Sequence, residues 1–498
     1  MHSLSCCLVI ILCLQAFLSG CAGLSPAPSI EDTNRLAPCS LFFTRVANTV
    51  KKTNGSNTGT VIVPGFPYLR ANRFLMALAK TVTSEQHFAD WSALMKQQAT
   101  SGLEKEIQNL PASAVEKLAG DAGLPQNRSA LCREASVCSA ALSAHDEKRP
   151  DFRNVLLSAP HVPSEYSSAM RILGIYPLAS LPVAYLTEKA QNKFKGWFDT
   201  PMESLPIQGR LIAYQPESFE SAREYIQNSF KKMPENSLHM KVLDAGEVRK
   251  LAEAFAPLLI QDVSGPRDIP GKVIWKDGQV HIQTNEPTVY YYLSYGIFKQ
   301  KPIVQINFAT WFSAREGPLA PWIETGPLDG LTLRISLDHN GEPFMLDIMN
   351  NCGCYHMFIP RKETVMEKKE KPLAMDAFVP QWLPDNFPVL PLRIRVNSGW
   401  HQVQRAWASN APLPSTRTYR LLPYDDLEAL PHSDGRYESV FDARGIMKGS
   451  HRIEPFLLFS MGVPSVGSMR QRGHHAISLI GCDHFDTPEL FEKSFIFK

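Results

Sequence analysis

What this 498-residue sequence has least of is charge imbalance, with 51 Lys and Arg against 49 Asp and Glu. A balance that close provides no broad basic field, so it favours neither nucleic acid nor an anionic surface as partner. A second long apolar run is also missing. ILGIYPLASLPVAY (172–185) falls short of the roughly 20 residues a spanning helix needs. Pro177 and Pro182 interrupt it, and it reads as buried core or a packed loop. There is no G-x-S-x-G elbow, no H-E-x-x-H and no zinc-finger spacing. GVPSVGSM (462–469) has the glycine spacing of a P-loop, but Ser468 and Met469 stand where Lys and Ser/Thr are required. No internal repeat is visible, and no Lys or Arg precedes Arg35.

What is present begins with the first 21 residues. A largely apolar stretch from Leu4 to Leu18 fits a secretory h-region, and small residues follow it. The tetrad Leu18-Ser19-Gly20-Cys21 resembles the lipobox of bacterial lipoproteins. That resemblance implies removal of residues 1–20, lipidation of Cys21 and attachment to a membrane through an N-terminal lipid anchor. Ala22, where Asp would signal retention, implies the outer membrane, with the body facing the periplasm of the cell envelope. Residues 21–60, with LSPAPS (24–29) and NGSNTG (54–59), read as a tether.

The remainder predicts an α+β fold. Apolar residues at three-to-four spacing, such as Phe74, Leu75 and Leu78 and then Phe88, Trp91 and Leu94, make 61–260 a helix-rich region. Long aromatic and β-branched runs make 261–498 an antiparallel β-rich region. Its hairpins turn at Asp277-Gly278, at Lys299-Gln300 and around Asn340-Gly341. RIEPFLLF (452–459) and AISLIG (476–481) read as further strands.

The chemistry concentrates in the cysteines and histidines. Six cysteines follow Cys21, an even number that suits disulfides in an oxidising compartment; Cys132 and Cys138 are the expected pair. NNCGCYH (350–356) follows a predicted strand. If that strand continues, Cys352, Cys354 and His356 share one face, about 6.5 to 7 Å apart. Such a row is too long to close on one ion unless Gly353 bends it. A facing segment is needed, and GHHAISLIGCDH (473–484) supplies His474, His475, Cys482 and His484.

The sequence leaves three readings open: a structural cysteine cluster or disulfide to Cys482, a zinc or copper site using Cys352, Cys354, His356, His474 and His484, and a thiol activated by a histidine. The motifs DG-x6-LD-x-NG-x-P, CGCYH and MRQRGHH are similar to those of uncharacterised bacterial envelope proteins, a resemblance that implies no activity. His401, near Arg405 and beside Trp400, reads as sheet surface, and Arg470 and Arg472 as surface charges. The expected function is a lipid-anchored envelope protein that binds an envelope protein or a small ligand, or plays a structural role. The alternative is a periplasmic hydrolase using metal or thiol chemistry at the same cluster.

Overall fold

The computed structural model describes residues 36–218, 221–362, 365–367, 375–413 and 415–497. The leader and Cys21 lie outside the described residues. No helix among those described is long and apolar enough to cross a membrane.

Part of the expected tether is instead helix. In α1, Leu36–Lys52, Leu36, Cys39, Phe42, Phe43, Val46 and Val50 fall on one buried stripe. It packs beside α2, Glu85–Gln108, and α3, Arg128–Asp146. Ser84 caps α2 by accepting the His87 N–H at 3.1 Å, and Phe88, Trp91 and Met95 form its buried face. The expected Cys132–Cys138 disulfide does not form. Both residues lie on α3, where six residues of helix separate them by about 9 Å, beyond the reach of a disulfide. Cys138 joins Cys39 of α1 instead, across a Cα separation of 5.0 Å, and Cys132 is a free thiol.

Ten strands build the main sheet. In chain order they are β1, Arg210–Pro216; β2, Leu258–Val263; β3, Thr288–Phe298; β4, Lys301–Arg315; and β5, Gly326–Leu337. They continue with β6, Pro343–Asn350; β7, Met357–Pro360; β8, Leu392–Val396; β9, Val403–Ala408; and β10, Thr416–Pro423. Their spatial order is β7-β6-β5-β4-β3-β10-β1-β2-β8-β9. Lys299 and Gln300 both have positive φ, the two-residue turn that matches strand twist between β3 and β4.

The fold is α+β, but the sheet is mixed rather than antiparallel. β10 runs parallel to both β3 and β1, and β8 runs parallel to β2. Nor do the halves separate: β1 lies within the expected helical region, and β2 straddles its boundary at residue 260. Short β-branched runs between helices pair wherever an edge is free, and local pattern does not specify with which strand.

Three further expectations change. Residues 172–185 form neither core nor loop: they lie mostly in α4, Tyr176–Asp199, whose N-terminal part is exposed. The 452–459 segment is a short helix, Glu454–Leu457, followed by a 3-10 turn, because Pro455 suits a first helical turn. Residues 476–481 are irregular, with one bridge between Ala476 and His484.

Candidate active site

The site grows from the end of β6. Its ladder to β5 stops at Asn350, and the chain turns instead of extending. Gly353 donates its N–H to the Asn350 carbonyl at 2.7 Å, and Asn350 donates to the Cys354 carbonyl at 3.0 Å. Gly353 has φ +90, and a Cβ there would sit 2.3 Å from the Ala476 carbonyl oxygen, so both turn and contact require glycine. Asn351 fixes the turn from behind. Its amide donates to the Thr310 carbonyl at 3.0 Å, and its Oδ1 accepts from Thr332 at 2.7 Å. Cys352, Cys354 and His356 therefore do not form a row on one strand.

The C-terminal segment does face this turn. Arg470 donates its backbone N–H to the Asn351 carbonyl at 2.8 Å, and Ala476 lies on Gly353. The expected ligand set, however, does not assemble. His356 Nε2 lies 3.0 Å from Asp347, which is also forked by Arg334. His474 is held by Glu165 and the Thr58 carbonyl, each at 2.8 Å. His484 Nε2 accepts the Glu165 N–H at 3.0 Å. His475 is buried with no partner on Nε2, and exposed Cys482 sits 2.9 Å from Arg171. Burial pushes His475 and His484 down to about 3 and holds His356 below the usual range.

Among the described residues, one trio of ligand-type side chains gathers within 4.8 Å: Cys39, Glu134 and Cys138. Its two sulfurs are already joined to each other. The zinc or copper reading and the Cys482 disulfide are thus corrected: each histidine is committed to a hydrogen-bond partner or to the core.

What remains are two free thiols in the lining of a cavity of about 290 Å³. Val183, Leu186 and Phe194 of α4, with Leu458, Val463 and Val466, give it hydrocarbon walls. Cys352, Cys354, Tyr355, His356, Glu324, Glu454 and Asp483 are among its polar lining. Cys352 is 2% exposed and accepts the Cys354 N–H at 3.4 Å. A hydrogen bond from the Cys354 thiol, opposed by burial and assisted by the Arg315 guanidinium, draws the Cys352 thiol below its ordinary range. The same bond, with burial, pushes Cys354 well up. Glu454 is raised by burial, and then by the charge of Cys352, to about 8, so it is a neutral acid at neutral pH. Its Oε2 has no hydrogen-bond partner. Gly467 packs against that carboxyl so closely that any Cβ would overlap it.

Behind the thiols runs a buried chain of charge. Arg315 forks Asp329 at 3.1 and 2.8 Å and reaches Glu324 at 2.9 Å. Glu324 also accepts from Trp400 Nε1 at 2.8 Å and from the Tyr355 hydroxyl. Asp329 lies 2.7 Å from His401 Nδ1, whose Nε2 is 3.3 Å from Asp268. His401 is fully buried against Phe312 rather than on the sheet surface. Burial opposes its charged form, but the two carboxylates outweigh it and raise the imidazole. Arg470 is likewise buried, bonded to the Pro464 and His474 carbonyls, and Arg472 is half-buried on Glu428; neither is a free surface charge.

Sequence reasoning missed Arg315, Glu324, Asp329, Asp268 and Glu454. A partial signal existed for some of them: Arg315 ends the long, largely apolar run 302–314, and Glu454 precedes the apolar run 455–459, where a charge needs a partner or a chemistry. No known protein family, curated protein or solved structure matches the chain.

Proposed function

We propose that this is an envelope thiol enzyme, lipid-anchored through Cys21 at the outer membrane, in which Cys352 attacks the carbonyl of an acyl ester. The observation that carries this reading is the Cys352 thiol, drawn down with help from the Arg315 guanidinium, in the lining of a cavity it shares with Glu454, whose Oε2 has no hydrogen-bond partner. A thiolate is the reactive form, and lowering its proton affinity makes it available at neutral pH without a histidine base.

The Cys352 sulfur forms a C–S bond as the carbonyl π pair moves onto oxygen. On collapse the C–O bond breaks, and the leaving alkoxide takes the Glu454 proton. The Glu454 carboxylate then removes a proton from water as it attacks the thioester, the C–S bond breaks, and the thiolate returns. Acid first and base second is the role a carboxyl with a raised pKa suits. Arg315, held by Asp329 and Glu324, is a positioning residue that fixes positive charge near the sulfur. The Cys39–Cys138 disulfide supports an oxidising compartment.

The test is a 4-nitrophenyl acyl ester followed by intact-mass and peptide mapping. An acyl adduct on Cys352, absent in Cys352→Ser and retained in Cys354→Ala, is the expected result; no adduct, or one elsewhere, overturns it. The closeness of the two thiols favours a second reading, a dithiol that reduces a substrate disulfide by exchange: the substrate's two sulfurs leave as thiols, Cys352 and Cys354 join, and an external thiol reductant reopens them. Under that reading both cysteines resist alkylation until a reductant is added, and Cys354→Ala abolishes turnover. For the anchor, Cys21→Ser should release the protein from the membrane fraction, and unchanged retention counts against lipidation.

A further inference from the structure

The wall of the Cys352 cavity has an outer side. From 172 to 187 the chain carries no charged residue, yet Ile172, Leu173, Leu178 and Leu186 are between 61% and 77% exposed. Against this segment packs another: Ser167 donates its N–H to the Gly462 carbonyl at 2.7 Å, and Arg171 Nε bonds the Met461 carbonyl at 2.9 Å. It adds Phe456, 84% exposed, and Leu457, 59% exposed. Monomeric proteins seldom leave so many large apolar side chains together in water. The patch is also continuous with the site, because Leu186 both lines the cavity and stands 61% exposed.

We propose that this surface rests on a phospholipid bilayer and opens the Cys352 cavity to it, so that the substrate is an amphiphile whose apolar chain enters from the membrane. The substrate class rests on the thiol-enzyme reading above and the reach argument on its Cys21 anchor; the exposed apolar surface rests on neither. Three observations select a bilayer as the occupant. Lys189, Lys193 and Lys195 follow the apolar stretch on α4 with a single acid, Glu188, among them, so that positive charge stands next to exposed hydrocarbon, as an anionic headgroup surface favours; Lys193 also lies over the Trp400 ring. Exposed Trp322, 73% accessible, adjoins the cavity-lining Ile323, and tryptophan favours the interface. Fourteen residues separate Cys21 from Leu36. At about 3.5 Å each, that segment reaches at most about 50 Å, so a lipid on Cys21 would hold the body within that distance of a bilayer.

The experiment reconstitutes the full chain into phosphatidylethanolamine–phosphatidylglycerol vesicles containing a phospholipid with a photoactivatable acyl chain. After illumination, labelled peptides are mapped. Labels should fall on 172–186 and 453–459, and Leu178→Glu combined with Phe456→Glu should reduce them roughly tenfold while leaving the melting transition in place. Cys352→Ser should label like the unmodified chain, which separates failure of the chemistry from failure of the surface. Labels confined to the segment beside Cys21 overturn the proposal. So does an unlabelled patch that instead cross-links to a second copy of the chain.

Discussion

Among the described residues, three cavities fall between about 290 and 360 Å³, and two of them differ in what their charges do. The Cys352 cavity measures about 290 Å³ and the other, between α2 and the sheet, about 360 Å³. The larger one is lined by Lys105, Asp425, Glu428 and Arg472, with Ser294, Gln305 and Asn307 from β3 and β4. There these four ionic groups close on one another, and the other three in the lining, Lys241, Arg334 and Asp486, pair with Glu235, Asp347 and Arg73. Glu428 meets Lys105 and Arg472 at 2.8 Å each and also accepts from Asn57 and Gln471. Asp425 meets the same two cations at 2.7 Å each. In the Cys352 cavity the acid has an oxygen with no partner, and both thiols are free. Mutual pairing leaves no group available to a substrate, whereas an acid kept neutral by burial retains a proton to give. The first arrangement holds parts together; the second is poised to react.

That contrast can be broken most forcefully at Glu428. Glu428→Ala removes the buried one of the two carboxylates that Lys105 and Arg472 share, leaving them half-exposed Asp425 alone, and should cost about 3 kcal/mol in denaturant unfolding. A loss below about 1 kcal/mol would mean that the knot is not structural.

Acid comes next. His475 and His484 are lowered to about 3, so the folded state resists protonation while the unfolded chain accepts protons near pH 6.5. Their neutral forms therefore contribute stability that is present above about pH 6.5 and is lost as pH falls toward about 3. Thermal melts from pH 7 to pH 4 should show a progressive fall, reduced in His475→Gln; a flat profile would contradict their burial.

The thiol gives a subtler readout. Alkylation of Cys352 should inflect below the free-thiol value of about 8.5, and Cys354→Ala should move the inflection upward. An unmoved inflection would remove Cys354 from the account.

Smallest in stability is Glu454→Gln, which replaces a neutral acid with a neutral amide of the same shape. It should change unfolding free energy by no more than about 0.5 kcal/mol while slowing ester turnover. A large loss of stability would place Glu454 with Glu428 as a structural ion.

How far the sequence revealed this depended on range. The hairpins at Asp277-Gly278 and Lys299-Gln300 were legible because two adjacent residues carry the whole turn. The helical stripe around Phe88 and Trp91 was legible for the same reason, as a local period. Insertion of β10 between β3 and β1 was not, since nothing near residue 420 names partners some 130 and 200 positions away. At the site, the expectation that 474–484 faces 352–356 held through Ala476 and Arg470, while the chemistry assigned to the histidines did not. Histidine and cysteine types suggested ligands. Of their hydrogen-bond partners, Glu165 and the Thr58 carbonyl come from distant segments that spacing does not reveal, and Asp347, nine residues before His356, reaches it only through the turn after β6.

β10 has a consequence for how the chain is made. It alone joins the wing β3 to β7 to the wing built from β1, β2, β8 and β9. Residues 210–216 and 288–298 must therefore wait, unpaired on one edge, until the ribosome has delivered residue 423. The keystone is laid late, and bare edges are where chains stick to their neighbours. A holding chaperone is what such an assembly order calls for.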